Sequence, residues 1–207
     1  MKKFFREYRK EDYEQCEELV NQAWGFEKIF APKALSDLAK RIYTGGSVVN
    51  SNYKIVAEVN GTVAGFIFGF NEYAKKPGKK IIFGLSILWQ FIWVKSEKPK
   101  DKKELTNAIN LHQKNRDKLV GRGRSEIVLF VVGEMFQRQG IGKELWAGFK
   151  EKCIEHGVSS IIVETNKLEA SSFYERLGFK HMGNFDSPLH EFATKGGQAC
   201  VYEYVFK

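Results

Sequence analysis

The chain has 207 residues, 43% apolar and 14% aromatic, enough for a full hydrophobic core and incompatible with a disordered protein. Its three cysteines, Cys16, Cys153 and Cys200, are odd in number and widely spaced, which argues against a disulfide framework or a Cys/His zinc site. The net charge of +8 is concentrated: residues 75–124 carry fourteen Lys or Arg against four Asp or Glu, while the remainder is slightly acidic.

The basic start of the chain is not followed by an apolar run, so no signal peptide is expected. Residues 81–94 form the longest apolar stretch and fall short of the ~20 needed to span a bilayer. A cytoplasmic protein without a membrane span is the expectation.

Asp12 is placed to cap a helix reaching about residue 23, with Cys16, Leu19 and Val20 on one face and Glu14, Glu17 and Glu18 outside. Pro32 suits the first turn of a second helix over about 33–43, with Gly45-Gly46 as its end. Residues 53–59 and 62–70 are β-branched and aromatic. Asn60-Gly61 between them predicts a hairpin, because both residue types tolerate positive φ.

The basic segment opens on the turn-forming residues 75–80. A helix apolar on all sides is predicted over 81–94, with Trp89 and Trp93 in it; such a helix must be buried or bind something. Residues 98–103 read as solvated, 105–119 as a weaker helix, and Gly121-Arg122-Gly123-Arg124 as a flexible loop.

Residues 126–132 form a compact strand. Ile141, Leu145, Phe149 and Cys153, four apart, mark one face of a helix over 140–155, closed by His156-Gly157. A strand over 160–164, a short helix over 168–177 closed by Gly178, and an alternating C-terminal strand complete the chain. The order β-α-α-β-β-(insert)-β-α-β-α-β-β describes an α+β domain, with a mixed, mostly antiparallel sheet flanked by helices.

The chemistry concentrates between a strand end and a helix start, in Gln137-Arg138-Gln139-Gly140-Ile141-Gly142-Lys143. Backbone N–H groups at a helix N-terminus form an anion cradle, and glycines there permit close approach. A P-loop requires Ser or Thr after Gly-Lys, and Glu144 stands there; a dinucleotide fingerprint requires a third glycine, and Leu145 stands there. The pattern Q/R-x-x-G-x-G/A fits. Further on come Asn166, Ala170 and Phe173-Tyr174-Glu175-Arg176-Leu177-Gly178-Phe179. With both signatures in this order, residues 126–179 resemble the GNAT N-acetyltransferase superfamily. The N-terminal half matches only in element order, and residues 75–124 depart from the short loop usual there.

The resemblance implies one GNAT-like domain over 1–207 with a basic helical insertion at about 75–124. It implies acetyl-CoA as cosubstrate, no metal, and a small-molecule or peptide amine as acceptor. The backbone of Phe130, Val131 and Val132 would meet the pantetheine arm, residues 137–143 the pyrophosphate, and Asn166 the pantetheine or sulfur end. Tyr174 would protonate the departing thiolate. Glu126, six residues before Val132, resembles the catalytic glutamate of the superfamily's histone-acetylating branch and is the candidate base. Glu72, Glu134 and Glu164 also sit at strand ends. Homodimers are common in the superfamily.

Around the acceptor, the helix at 81–94 is expected either to lid the cleft or a dimer interface, its lysines favouring a negatively charged acceptor, or to be a packed elaboration. Competing readings are a catalytically silent acyl-CoA sensor, membrane-surface association through 81–94, and a nucleic-acid module. Against the last, aromatics do not alternate with basic residues and no helix-turn-helix or zinc finger is present, so no nucleic acid is expected.

Overall fold

The computed structural model describes residues 2–29, 33–74, 83–87, 99–121, 123–166, 170–188 and 198–206. Its strands are β1 (Lys3–Glu7), β2 (Tyr53–Val59), β3 (Thr62–Phe70), β4 (Glu126–Val132), β5 (Ser160–Asn166), β6 (Lys180–Phe185) and β7 (Ala199–Val205). They form one sheet in the order β1-β2-β3-β4-β5-β7-β6. Every neighbouring pair is antiparallel except β4–β5. The helices are α1 (Tyr13–Trp24), α2 (Phe26–Ile29), α3 (Lys33–Asn50), α4 (Pro99–Val120), α5 (Ile141–Glu155) and α6 (Ser171–Arg176).

Three apolar clusters cover the sheet. On one face, α5 lays Ile141, Leu145, Trp146, Phe149 and Cys153 against Ile67, Ile161 and Val163, joined by Tyr174 and Phe179. On the other face, Cys16, Leu19 and Val20 of α1 and Ala39 of α3 meet Val56, Phe66, Leu129 and Val131. Beside them on that second face, Leu119 and Val120 of α4 pack on Ile162, Phe185, Ala199 and Val201.

Local chemistry explains the elements and corrects several expectations. The β2–β3 hairpin turns at Asn60 (φ 52°) and Gly61 (φ 81°), as the sequence predicts. Asp12 precedes α1 but gives it no side-chain cap. Its carboxylate instead takes both terminal nitrogens of Arg6 at 2.8 Å and the Arg9 N–H at 2.7 Å. The Arg6 guanidinium thereby holds it below the ordinary carboxylate range.

The second helix does not stop at Gly45-Gly46 but runs through them to Asn50. A Cβ on Gly45 would lie 2.7 Å from the Phe83 ring, so this glycine makes room for an aromatic side chain and is not a helix stop. Residues 99–103 belong to α4, which starts at Pro99 and continues to Val120, so this helix is longer than the predicted 105–119. Of the predicted helix over 81–94, residues 83–87 are helical; Ile81, Ile82, Leu88, Trp89, Trp93 and the rest lie outside the described residues, as do Leu168 and Arg122. No helix among the described residues is long and apolar enough to cross a membrane.

One irregularity positions everything that follows. Ile127 pairs with Gly69 and Leu129 with Phe68, so Val128 is left without a partner on β3. Such a bulge bends the strand and re-aims its side chains. The same place is closely packed: a Cβ on Gly69 would fall 2.5 Å from the Phe149 ring. Gly69→Ala is therefore expected to destabilise the fold by about 1–3 kcal/mol through overpacking. Thermal and urea melts check this, and an unchanged midpoint would show that β3 yields freely there.

Candidate active site

β4 and β5 share two ladder pairs, Glu126 with Ile162 and Ile127 with Val163, and then part. β4 runs on to Val132 and β5 to Asn166, so past the bulge a gap opens between them. The described structure has no ladder bonds across it, which leaves strand backbone available to a ligand. Phe130 and Val132 face α5 and pack beside its cluster, whereas Leu129 and Val131 face α1 and α3.

At the far end of β4 the chain turns through a 3₁₀ segment, Glu134–Phe136, into α5. The Gln137 side chain donates to the Val132 carbonyl at 3.2 Å and the Gln139 side chain to Met135 at 3.1 Å. Arg138 (φ 60°) and Gly140 (φ 83°) are both left-handed, the second at the helix N-cap. The first hydrogen bond of α5 runs from Glu144 N–H to the Gly140 carbonyl at 3.1 Å. The N–H groups just inside the helix start therefore face outward, with the positive end of the dipole behind them. Lys3 of β1 donates to the Gln139 carbonyl and fixes the loop from below, a contact with no signal in the sequence. Arg138 and Lys143 are exposed beside it. Backbone N–H groups arranged in this way can receive an anion.

Gly142 has a second role. A Cβ there would meet the Phe173 ring at 3.3 Å and Phe130 at 3.7 Å. The missing side chain lets α5 close on this aromatic pair, whose centroids lie 5.5 Å apart.

Tyr174 is buried between Phe173 and Phe179, at centroid distances of 5.3 and 5.5 Å. The last turn of α6 holds it: Leu177 and Phe179 N–H donate to its carbonyl at 3.0 and 3.1 Å. Burial pushes its hydroxyl well above the ordinary tyrosine value, so it keeps its proton at neutral and mildly alkaline pH. Tyr43 of α3 is partly exposed and packs against Trp24 and Phe26, at centroid distances of 5.1 and 5.6 Å. Asn166 is buried at the end of β5, where its carbonyl accepts the Ala170 N–H at 3.4 Å and starts the turn into α6.

Glu126 lies on the other side of the sheet. Arg116 of α4 donates to it through one terminal nitrogen and to Glu164 of β5 through Nε at 3.0 Å. One guanidinium thus bridges carboxylates on the two diverging strands. His112, one turn earlier, lies 3.6 Å from Glu164 and 2.8 Å from the Ser187 hydroxyl, with its ring against Phe185. Arg124 bonds Ser160 at 2.7 Å and also Glu203, so the loop expected to be flexible is anchored there. A cavity of about 230 Å³ opens here, lined by Asn50, Phe70, Arg116, Arg124, Glu126 and Val128 among others.

The structure thus brings the loop over 137–143, the Phe130–Val132 backbone and Tyr174 around one gap, with Glu126 on its far side. Glu134 is exposed at the turn after β4, and Glu72 meets Ser125 near the start of that strand. Arg116 and Arg124 escaped the sequence reading, since each comes from a segment that signals only surface charge. Among the described residues no group of three or more His, Cys, Asp or Glu is placed to hold a metal ion.

Arg116 and Glu164 are about four-fifths buried. Arg116→Met is expected to cost about 1–2 kcal/mol, and less when Glu164 is already Gln. A double-mutant cycle in urea measures the coupling, and strict additivity would show that the pair contributes nothing.

Residues 100–187, from α4 through β6, match the family described as acetyltransferase (GNAT) domain. No curated protein matches the chain at a significant level. Among solved structures, it is similar to PH1933 from Pyrococcus horikoshii OT3, with 16% identity, TM-score 0.63 and coverage of 100% of this chain and 99% of that one. It is similar to the PaiA N-acetyltransferase from Thermoplasma acidophilum, solved in complex with coenzyme A, at 15% identity, TM-score 0.58 and full coverage of both chains. YncA from Salmonella typhimurium, solved with its cofactor acetyl-CoA, gives 13% identity, TM-score 0.54 and coverage of 99% and 94%. At these identities the likeness establishes the fold.

Proposed function

We propose that the protein is a GNAT N-acetyltransferase acting on a primary amine by direct attack in a ternary complex, a reading supported by the acetyltransferase (GNAT) family match over residues 100–187. The observation that carries the reading is the gap between β4 and β5, with an outward-facing helix start at its end and Tyr174 beside it. Residues 1–207 are read as one domain with 75–124 inserted between β3 and β4. The solved relatives bound to coenzyme A and acetyl-CoA support the choice of cosubstrate.

Acetyl-CoA supplies the activated thioester. The loop over 137–143 would hold its pyrophosphate, with Lys143 and Arg138 adding positive charge. The Phe130–Val132 backbone, freed by the bulge, would pair with the amide-bearing arm, and Asn166 closes the end of the gap. Glu126 takes the proton that the acceptor ammonium must lose before nitrogen attacks the acetyl carbon. As the carbon–nitrogen bond forms and the carbon–sulfur bond breaks, the Tyr174 hydroxyl passes its proton to sulfur. Burial keeps that hydroxyl protonated until it is needed.

Isothermal titration with acetyl-CoA tests the cradle. Lys143 is exposed, so Lys143→Glu reverses a charge without disturbing the core and is expected to weaken binding at least tenfold. Gly142→Glu is less informative, since its side chain would collide with Phe173. A folded wild type that does not bind acetyl-CoA would rule out the acetyltransferase reading.

Tyr174→Phe should lower kcat by about a hundredfold, in the range ascribed to a positioned general acid, with acetyl-CoA affinity unchanged. Because the folded-state value of Tyr174 is raised, its acid form persists as pH rises. The alkaline limb of the wild-type kcat profile is therefore expected above the ordinary tyrosine value of about 10. A limb between pH 7 and 9 that disappears in Tyr174→Phe would contradict the assignment.

A further inference from the structure

Two side chains of the basic segment, Arg116 and Arg124, line the cavity beside Glu126. Among the described residues these are the charged groups of the lining, and Glu164 and Glu203 lie behind the two guanidinium groups as their partners.

Both guanidinium groups have donors to spare. Arg116 uses Nε on Glu164 and one terminal nitrogen on Glu126. Arg124 uses a single terminal nitrogen for both Ser160 and Glu203. A guanidinium carries five N–H groups, and among the described residues the second terminal nitrogen of each donates to no protein acceptor. The two side chains are 16% and 28% exposed, so they are held in place yet open to the cavity.

An acceptor that sets its amine at Glu126 brings the rest of its body against these donors. A second ammonium there brings donors against donors, and an apolar tail covers donors without satisfying them. A carboxylate or phosphate matches their fork geometry. The cavity of about 230 Å³ also favours a compact molecule. We infer that the acceptor is a small amine bearing a carboxylate or phosphate a few bonds from its nitrogen, the amine toward Glu126 and the acid group on Arg116 and Arg124. The inference rests on the acetyltransferase reading above and adds the substrate class to it; the acetyl transfer itself is the one described there.

The test measures thiol release from acetyl-CoA with four amines of similar size: β-alanine, O-phosphoethanolamine, ethanolamine and 1,3-diaminopropane. The expected result is a kcat/KM at least tenfold higher for one of the two acid-bearing amines than for ethanolamine or the diamine. Arg124→Gln should remove at least tenfold of that preference, and Arg124→Lys should restore part of it. Both variants should bind acetyl-CoA like the wild type and melt as folded proteins. If Arg124→Gln does not fold, the four-amine comparison on wild type decides alone. Equal rates, preference for ethanolamine or the diamine, or no turnover of either acid-bearing amine by a protein that binds acetyl-CoA would overturn this proposal alone. Failure of the folded wild type to bind acetyl-CoA would overturn the enzymatic reading and this proposal with it.

Discussion

β4 and β5 are held together by two ladder pairs and then separate, and the separation starts at the one residue of β4 that β3 does not pair. The bulge at Val128 is thus the constraint on which the site depends. It bends β4 away from its parallel neighbour and exposes strand backbone. It also changes which side chains share a face. Glu126 and Val128 line the cavity on the side of α4, while Phe130 and Val132 face α5. A regular strand would have sent Glu126 to the same face as Phe130. Because of the bulge, acid and base candidates sit on opposite sides of one opening.

The opening is stabilised by what packs around it. On one side, the aromatic group of Phe130, Phe173, Tyr174 and Phe179 fills the space under α5, and Gly142 lets the helix approach. On the other, no strand bridges the gap, and Arg116 does so with its guanidinium. Taking a cation and two carboxylates partly out of water is favourable only when each finds its partner in good geometry. The arrangement fixes Glu126, in the ladder, and Glu164, just past its last pair, relative to each other.

This changes the meaning of the charged segment. Its net positive charge suggests an attractive surface, yet the described part, α4, is a packed helix with Ala108 and Val120 buried and Leu119 against Gly183. Its polar side chains tie β4, β5 and the end of β6 together through Arg116, His112 and Asn115. What the segment contributes beside Glu126 is two arginines at defined positions.

The sequence by itself determined the elements and their order, because periodicity, turn residues and glycine placement are local properties. The Asn60-Gly61 hairpin, the face of α5 and the glycine-marked start of that helix follow from spacing alone. So does the placement of Tyr174 in a helix that ends at Leu177-Gly178, two signatures legible without coordinates. Only the tertiary structure decided where Gly45 acts, since its missing side chain makes room for Phe83, an aromatic side chain distant in sequence. It alone showed the bulge at Val128, which exists only relative to β3. It alone placed Arg116 between Glu126 and Glu164, because a contact made by side chains from three elements leaves no mark on the pattern of any one of them.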